Sequence, residues 1–307
     1  MNDALPPKLQ ATLKRAERLE WWTIGLIATV IAVMGLAMGS SQVMKTAWIE
    51  DCLSLTAPIV FLMAARVERH RPTSRFPNGF ARAPGLAFAI AAAALAVLGG
   101  VLLVESVMSL AAREHATVGG VVILGREVWL GWVMVAAQLY SIAVPVVLGR
   151  LKLPLARELN DKTLFTDAQT QKADWMTGVA GIGGVIGIGL GWWWADALAA
   201  GVISLGILHD GVRALRSASA ELIDGAPREL DGVDVAADAN ALHASMSARF
   251  PGAEIHLREL GRVIAVQVVG AVPPGATLDP ADYWPGDPAR SWRLGHVGFV
   301  PPRPEGG

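Results

Sequence analysis

Six long apolar segments, separated by short charged stretches, constrain the fold of this chain more than any other feature. They cover residues 23–39, 48–65, 86–110, 129–148, 167–190 and 195–215. A helix of about 20 residues crosses the roughly 30 Å hydrocarbon core of a bilayer. The composition agrees, because 53% of the residues are hydrophobic and only 17% are charged, as is typical of membrane proteins. We therefore predict a mainly α protein whose six helices span a membrane.

The basic residues alternate from loop to loop. They crowd the N-terminus, the loops after the second and fourth segments, and the end of the sixth, whereas the other loops hold only Lys45, Arg113 and Arg126. Loops rich in Lys and Arg stay on the cytosolic side. We therefore expect a multi-pass protein of the cell (inner) membrane with both termini in the cytosol.

The composition changes after the sixth segment, which divides the chain into three regions. Residues 1–20 form a cytosolic N-terminal segment, residues 21–225 the transmembrane domain, and residues 226–307 a small cytosolic α+β domain. Within the last region the pattern predicts a helix over 233–250, strands over 253–257 and 263–269, and an irregular tail from 272. The single cysteine, Cys52, excludes an internal disulfide and a thiolate metal cluster.

The fifth segment carries polar residues on one helical stripe, formed by Asp167, Gln171, Asp174, Gly178 and Gly181. Carboxylates at membrane depth are costly and usually mark an ion or proton path. The alternative for Asp167 is that it caps the helix on the cytosolic side and lies outside the membrane. It lies about 10.5 Å of helix rise from Asp174, too far for one ion, so it is an entry residue, a second site or a proton carrier.

Four sequence stretches together resemble the cation diffusion facilitator family of proton-coupled metal exporters. They are residues 39–55 at the entry of the second segment, the basic loop 76–83, residues 166–174, and residues 194–227 at the sixth segment and its exit. Each stretch alone is weak, but four in the right order on six spans are a strong resemblance. It covers about residues 8–227.

The resemblance implies where the transported ion binds. Asp51 and Asp174 match two of the family's four metal ligands, whereas Leu55 and Thr170 stand at the other two positions. The neighbouring oxygens of Ser54, Gln171 and Thr170 are candidates to complete the site, with Asp167 as an additional acid. An oxygen-only shell favours hard ions such as Mn²⁺, Fe²⁺ or Mg²⁺ over Zn²⁺.

The resemblance also implies a charge clamp between Arg82, at the start of the third helix, and Asp224, at the end of the sixth. The competing explanation is that Arg82 follows the positive-inside rule and Asp224 lies in a solvated turn.

The expected function is therefore divalent metal efflux by metal/proton antiport through carboxylates on helices two and five. The family implies a homodimer with a complete or truncated ferredoxin-like cytosolic domain. The expected partners are the lipid bilayer, divalent cations and protons, and we expect no binding to nucleic acid. The alternative is a non-transporting regulatory or scaffold protein on the same fold, which the substitutions at Leu55 and Thr170 favour. The sequence contains no nucleophile–base pair or phosphate loop, so we do not expect an enzyme.

Overall fold

The fold was analysed in a computed structural model of the chain. It describes residues 6–67, 70, 73–76, 80, 82–113, 118–123, 125–173, 175–231, 234–273 and 279–301. The helices of this part are α1 Pro7–Ala37, α2 Gln42–Leu53, α3 Thr56–Val67, α4 Ala83–Ala112, α5 Leu130–Leu159, α6 Lys162–Ala173, α7 Trp175–Gly189, α8 Ala195–Leu222 and α9 Ala237–Arg249. The strands are β1 Gly120–Ile123, β2 Arg126–Trp129, β3 Glu254–Leu260, β4 Val263–Val269 and β5 Leu294–Val300.

The predicted fold class is confirmed: a bundle of long apolar helices is followed by a small α+β unit. Five segments of the described chain are long and apolar enough to cross a membrane: Pro7–Ala37, Gln42–Val67, Ala92–Ala112, Leu130–Leu159 and Ala195–Leu222. The fifth predicted span corresponds to α6 and α7, which lie on either side of residue 174. The charged N-terminal segment is not a separate helix, because α1 runs without interruption from Pro7 into the first apolar segment.

The second predicted span is broken. α2 ends at Leu53 and α3 begins at Thr56, with a turn at Ser54 and Leu55. Ser54 closes α2, because its backbone N–H bonds the carbonyl oxygens of Glu50 and Cys52. The break lies three residues after Asp51, and interrupted helices are where membrane transporters place ion sites.

Small residues bring the helices of the bundle close together. A Cβ atom on Gly99 of α4 would lie 2.6 Å from the backbone nitrogen of Leu208 on α8, and one on Gly211 would lie 2.5 Å from that of Ala96. Both distances are shorter than van der Waals contact, so α4 and α8 meet at this spacing only with glycine at these positions.

The first turn of α2 is fixed by α8. Asp196 accepts hydrogen bonds from the Ser41 hydroxyl at 2.6 Å and from the backbone N–H groups of Gln42 at 2.6 Å and Val43 at 3.3 Å. A carboxylate at a helix N-terminus satisfies N–H groups that lack partners inside the helix. Asp196 lies in the first turn of its own helix, as its position in the sequence indicates, and it also caps the neighbouring one.

The C-terminal unit is a three-stranded sheet with α9 packed beside it. β3 and β4 pair antiparallel through a turn at Gly261, and β4 has the predicted bounds. β5 pairs parallel with β4, so the prediction of an irregular tail was wrong for residues 294–300. The connection between α4 and α5 also contains a hairpin of β1 and β2 that the sequence did not predict.

Candidate metal centre

Asp51 is the buried carboxylate around which the candidate centre is built. It lies near the end of α2 with 8% of its surface exposed. Ser141 on α5 donates its hydroxyl hydrogen to this carboxylate, with oxygen–oxygen distances of 2.8 Å to Oδ1 and 3.0 Å to Oδ2. The hydrogen bond offsets part of the cost of burying a charge.

A small cavity of about 10 Å³ adjoins Asp51, which is room for about one water-sized particle. Its walls are Ala47, Glu50, Asp51, Ser54, Gln138, Ser141, Ile142 and Thr177. Six of these eight side chains carry oxygen atoms. The Oε1 of Gln138 is buried and accepts no hydrogen bond from the part of the chain described here. Oxygen donors around a cavity of this size are the environment that hard divalent cations use in proteins.

The sequence-predicted ligands have different outcomes. Asp51 and Ser54 both line the small cavity, although the hydroxyl of Ser54 also donates to the carbonyl of Glu50 at 3.1 Å. Asp174 lies outside the described residues, and only the backbone of Thr170 is described, within α6. Thr177, three residues after position 174, lines the cavity from α7. The fifth predicted span therefore reaches the cavity through the first turn of α7.

The structure does not bring Asp167 or Gln171 to the small cavity. Both are buried, and Gln171 donates from Nε2 to Oδ1 of Asp167 at 3.0 Å. Asp167 forms an ion pair with Lys152, whose side chain is fully buried. Lys152 also binds Oε2 of Glu20 at 2.8 Å. These residues form a buried charge cluster between α1, α5 and α6, which we call the Lys152 cluster.

Helix geometry alone turns Glu50 about 100° away from its neighbour Asp51, which favours the outer interface. In the structure it lines the small cavity together with Ser54. The two residues are four positions apart at the end of α2, so they share a face beside the helix break.

Sequence reasoning missed Gln138 and Ser141, which contribute most to the centre after Asp51. The available signal was their spacing: they are polar, three residues apart and inside the apolar fourth span. It also missed Glu20 and Lys152, because a charged residue at the end of a span is ordinarily explained by the membrane interface.

Arg82 and Asp224 are in direct contact. Nη2 of Arg82 donates to Oδ1 of Asp224, and the two side chains are 43% and 46% exposed. The contact joins the start of α4 to the residue just beyond α8. Whether it serves as a functional clamp stays a prediction.

Two further acids, Glu105 and Asp210, lie within the helices of the bundle. Glu105 on α4 is paired with Lys45 at 2.5 Å. Asp210 on α8 lines a second, larger cavity. Within the described residues no group of three or more His, Cys, Asp or Glu side chains is arranged to hold a metal; Glu50 and Asp51 are the two described carboxylates in the wall of the small cavity.

Comparison with known protein families gives one match. The sequence model of the cation efflux transmembrane domain matches residues 22–223, which is about two-thirds of the chain and contains every residue of the small cavity. No curated protein matches the chain.

Proposed function

The chain belongs to the cation efflux family, which makes it a multi-pass metal cation transporter, and we propose that it exchanges divalent metal ions for protons at Asp51. The observation that carries the proposal is the oxygen-lined cavity beside this buried carboxylate. Asp174, at the matching family position on the fifth predicted span, supplies the second carboxylate.

The donor set favours a hard cation. Asp51, Ser141 and Gln138 offer a carboxylate, a hydroxyl and an amide oxygen, and no thiolate or imidazole lines the cavity within the described chain. We propose Mn²⁺, Fe²⁺ or Mg²⁺ ahead of Zn²⁺, because hard oxygen ligands suit these ions better. Water molecules complete the coordination shell where protein oxygens are too few.

Proton exchange follows from the chemistry of the same groups. A carboxylate holds either a proton or a metal ion, so the two compete for Asp51 and Asp174. The Ser141 hydroxyl supports both states, since it donates to the carboxylate when no ion is bound and offers oxygen lone pairs when one is. An inward proton gradient would then drive metal ions outward.

A larger cavity provides a route to the centre. Its volume is about 360 Å³, and Glu50 and Ser54 belong to its wall as well as to that of the small cavity. Gly261 and Arg262 of the β3–β4 turn line it too. This supports entry from the side of the C-terminal unit, which the basic loops assign to the cytosol of an inner-membrane protein.

We further propose that the transporter is a homodimer, as its family implies, with the Arg82–Asp224 contact joining the helices near the cytosolic face.

Flux measurements test this proposal directly. The purified protein is reconstituted into liposomes that contain a metal-sensitive dye, and uptake of Mn²⁺, Fe²⁺, Mg²⁺ and Zn²⁺ is compared with and without a pH gradient. We expect saturable uptake of a hard ion that falls when an ionophore collapses the gradient. Unchanged uptake after collapse would contradict proton coupling, and no uptake of any ion would favour the non-transporting alternative.

A further inference from the structure

The larger cavity has the size and lining of a site for an organic molecule. Its volume of about 360 Å³ lies within the roughly 300–1,000 Å³ typical of small-molecule pockets, and such pockets are mostly apolar with a few well-placed polar groups. A divalent ion needs only a small fraction of this space. Its wall combines apolar side chains of α3 and α4 with carboxylates of α8.

α8 presents one continuous stripe to this cavity. The stripe consists of Ile207, Asp210, Ala214, Ser217 and Glu221, whose spacing of three and four residues keeps them on one helical face. Glu221 is at one end of the stripe, and Asp210 lies one position in from the other end, after Ile207. The two carboxylates are eleven residues apart, which is about 16.5 Å of helix rise. An apolar wall with an acid near each end matches a long molecule that is positively charged at both ends.

Two of the three cations in the described wall are paired with carboxylates, and the third donates to a neutral carbonyl. Within the described wall, Lys162 is paired with Glu259, Arg262 with Asp161 at 2.8 Å, and Arg213 donates to the carbonyl of Asp231 at 3.4 Å.

By contrast, Asp210 and Glu221 have no hydrogen bond or ion pair with any described residue. His209 and Arg213 attract Asp210 at longer range, whereas Glu221 is repelled by Glu259 and Asp161 and attracted by Lys162 and Arg82. The stripe therefore keeps two carboxylates available for a ligand.

A buried amide oxygen supplies a second, independent indication of a ligand. Gln171 is 1% exposed and belongs to the wall of the same cavity. Its Nε2 donates to Asp167, whereas its Oε1 accepts no hydrogen bond from the described chain. A buried acceptor without a donor destabilises the folded protein. An ammonium group offers three donors and no acceptor, so it would satisfy this oxygen.

We propose that the larger cavity is a binding site for a linear organic diamine or polyamine, held at its two ends by Asp210 and Glu221. The ammonium groups pair with the carboxylates, and the methylene chain lies past Ala214 and Ser217, against the apolar side chains of α3 and α4. The two carboxylates are not part of the Asp51 centre, but the two cavities share Glu50 and Ser54, so occupancy of the larger one blocks the route to that centre. Binding does not depend on whether the protein transports metal.

The test measures equilibrium binding of α,ω-diamines to the purified full chain by titration calorimetry. Diaminobutane, diaminooctane and diaminododecane serve as a length series, with octylamine as the control that carries one charge. Asp210→Asn and Glu221→Gln keep the shape of each side chain. Glu254→Gln, on an acid that is 77% exposed in β3, is the matched control, and Asp51→Asn reports on the metal centre.

We expect affinity to rise with diamine length and to exceed that of octylamine. Asp210→Asn and Glu221→Gln should each weaken binding of the long diamine by about tenfold, the factor that corresponds to about 1.4 kcal/mol, while Glu254→Gln and Asp51→Asn leave it unchanged. The proposal is overturned if wild-type protein binds no diamine saturably, if octylamine binds as well as diaminooctane, or if neither carboxylate variant changes the affinity. An equal loss in Asp51→Asn would assign the ligand to the metal centre instead.

Discussion

Ser141 and Asp51 join helix α5 to helix α2 at the floor of the small cavity, where the Ser141 hydroxyl lies 2.8 Å from one carboxylate oxygen and 3.0 Å from the other. The relationship makes α5 part of the proposed metal centre. The second and fifth predicted spans, α2–α3 and α6–α7, would alone leave the buried carboxylate without this donor, so the contribution of α5 offers a test of its own.

Ser141→Ala should weaken metal transport. The variant removes an oxygen that the proposal assigns to the shell of the bound ion, and polar contacts with charged groups contribute about 1.5–3 kcal/mol. We therefore expect the KM for metal in liposome flux to rise by about tenfold or more. Ser204→Ala is the matched control, because Ser204 is also buried but donates its hydroxyl hydrogen to the carbonyl of Ala200 in its own helix at 2.7 Å. Equal kinetics in the two variants would remove Ser141 from the centre.

Lys152→Ala should destabilise the protein strongly. It leaves Glu20 and Asp167 buried without their cation, and breaking a buried ion pair costs about 3–5 kcal/mol. Thermal unfolding in detergent measures the effect. Lys8→Ala is the control, because Lys8 is 87% exposed and its pair with Glu158 spans 3.5 Å, so its loss costs about 0–1 kcal/mol.

The Lys152 cluster is then tested by replacing it as a whole. Lys152→Met combined with Glu20→Gln and Asp167→Asn removes all three charges and should recover part of the stability lost in Lys152→Ala. If the triple variant is less stable than Lys152→Ala, the loss does not arise from uncompensated charge.

Gly99→Ala should weaken the packing of α4 on α8. The added Cβ would lie 2.6 Å from the backbone nitrogen of Leu208, and backbone cannot rotate away as a side chain does. Overpacking of this kind costs about 1–3 kcal/mol. Gly100→Ala, at the next position, meets nothing within 4 Å and should leave the unfolding temperature unchanged or slightly higher. Similar losses in both variants would mean that close approach of the helices is not the cause.

Arg82 and Asp224 should show coupling in a double-mutant cycle. Arg82→Glu is expected to reduce stability or flux, and adding Asp224→Arg to restore part of the loss, because the reversed pair regains attraction. Since both side chains are more than 40% exposed, the coupling should be about 0.2–1 kcal/mol and fall with added salt. Losses that simply add would show that the contact has no energetic role.

The sequence predicts what repeats along one helix or strand. Apolar runs located the membrane segments, and the apolar run of Val263–Val269 after the turn at Gly261 gave β4 its observed bounds. These features depend on side-chain periods within a single element. The hairpin of β1 and β2 is too short, with four residues in each strand, to give a period of this kind.

The parts of the candidate site that the sequence did not predict depend on contacts between elements. Gln138 and Ser141 reach Asp51 because α5 packs beside α2, and no pattern within α5 states which helix it faces. Lys152 follows the fourth apolar segment, so its position in the sequence indicates the membrane interface. In the fold it is enclosed between Glu20 and Asp167. Likewise, β5 is a strand because it pairs with the edge of β4, which is distant in the sequence.

The central claim, that metal ions pass through Asp51, is tested most directly by metal flux into liposomes that contain Asp51→Asn. The variant keeps the shape of the side chain but removes the charge beside the small cavity. Glu254→Gln, far from the cavity walls, controls for general loss of charge, and an unchanged unfolding temperature controls for folding. The account predicts that Asp51→Asn abolishes metal-dependent flux while Glu254→Gln retains it. Wild-type flux in folded Asp51→Asn protein would contradict the account.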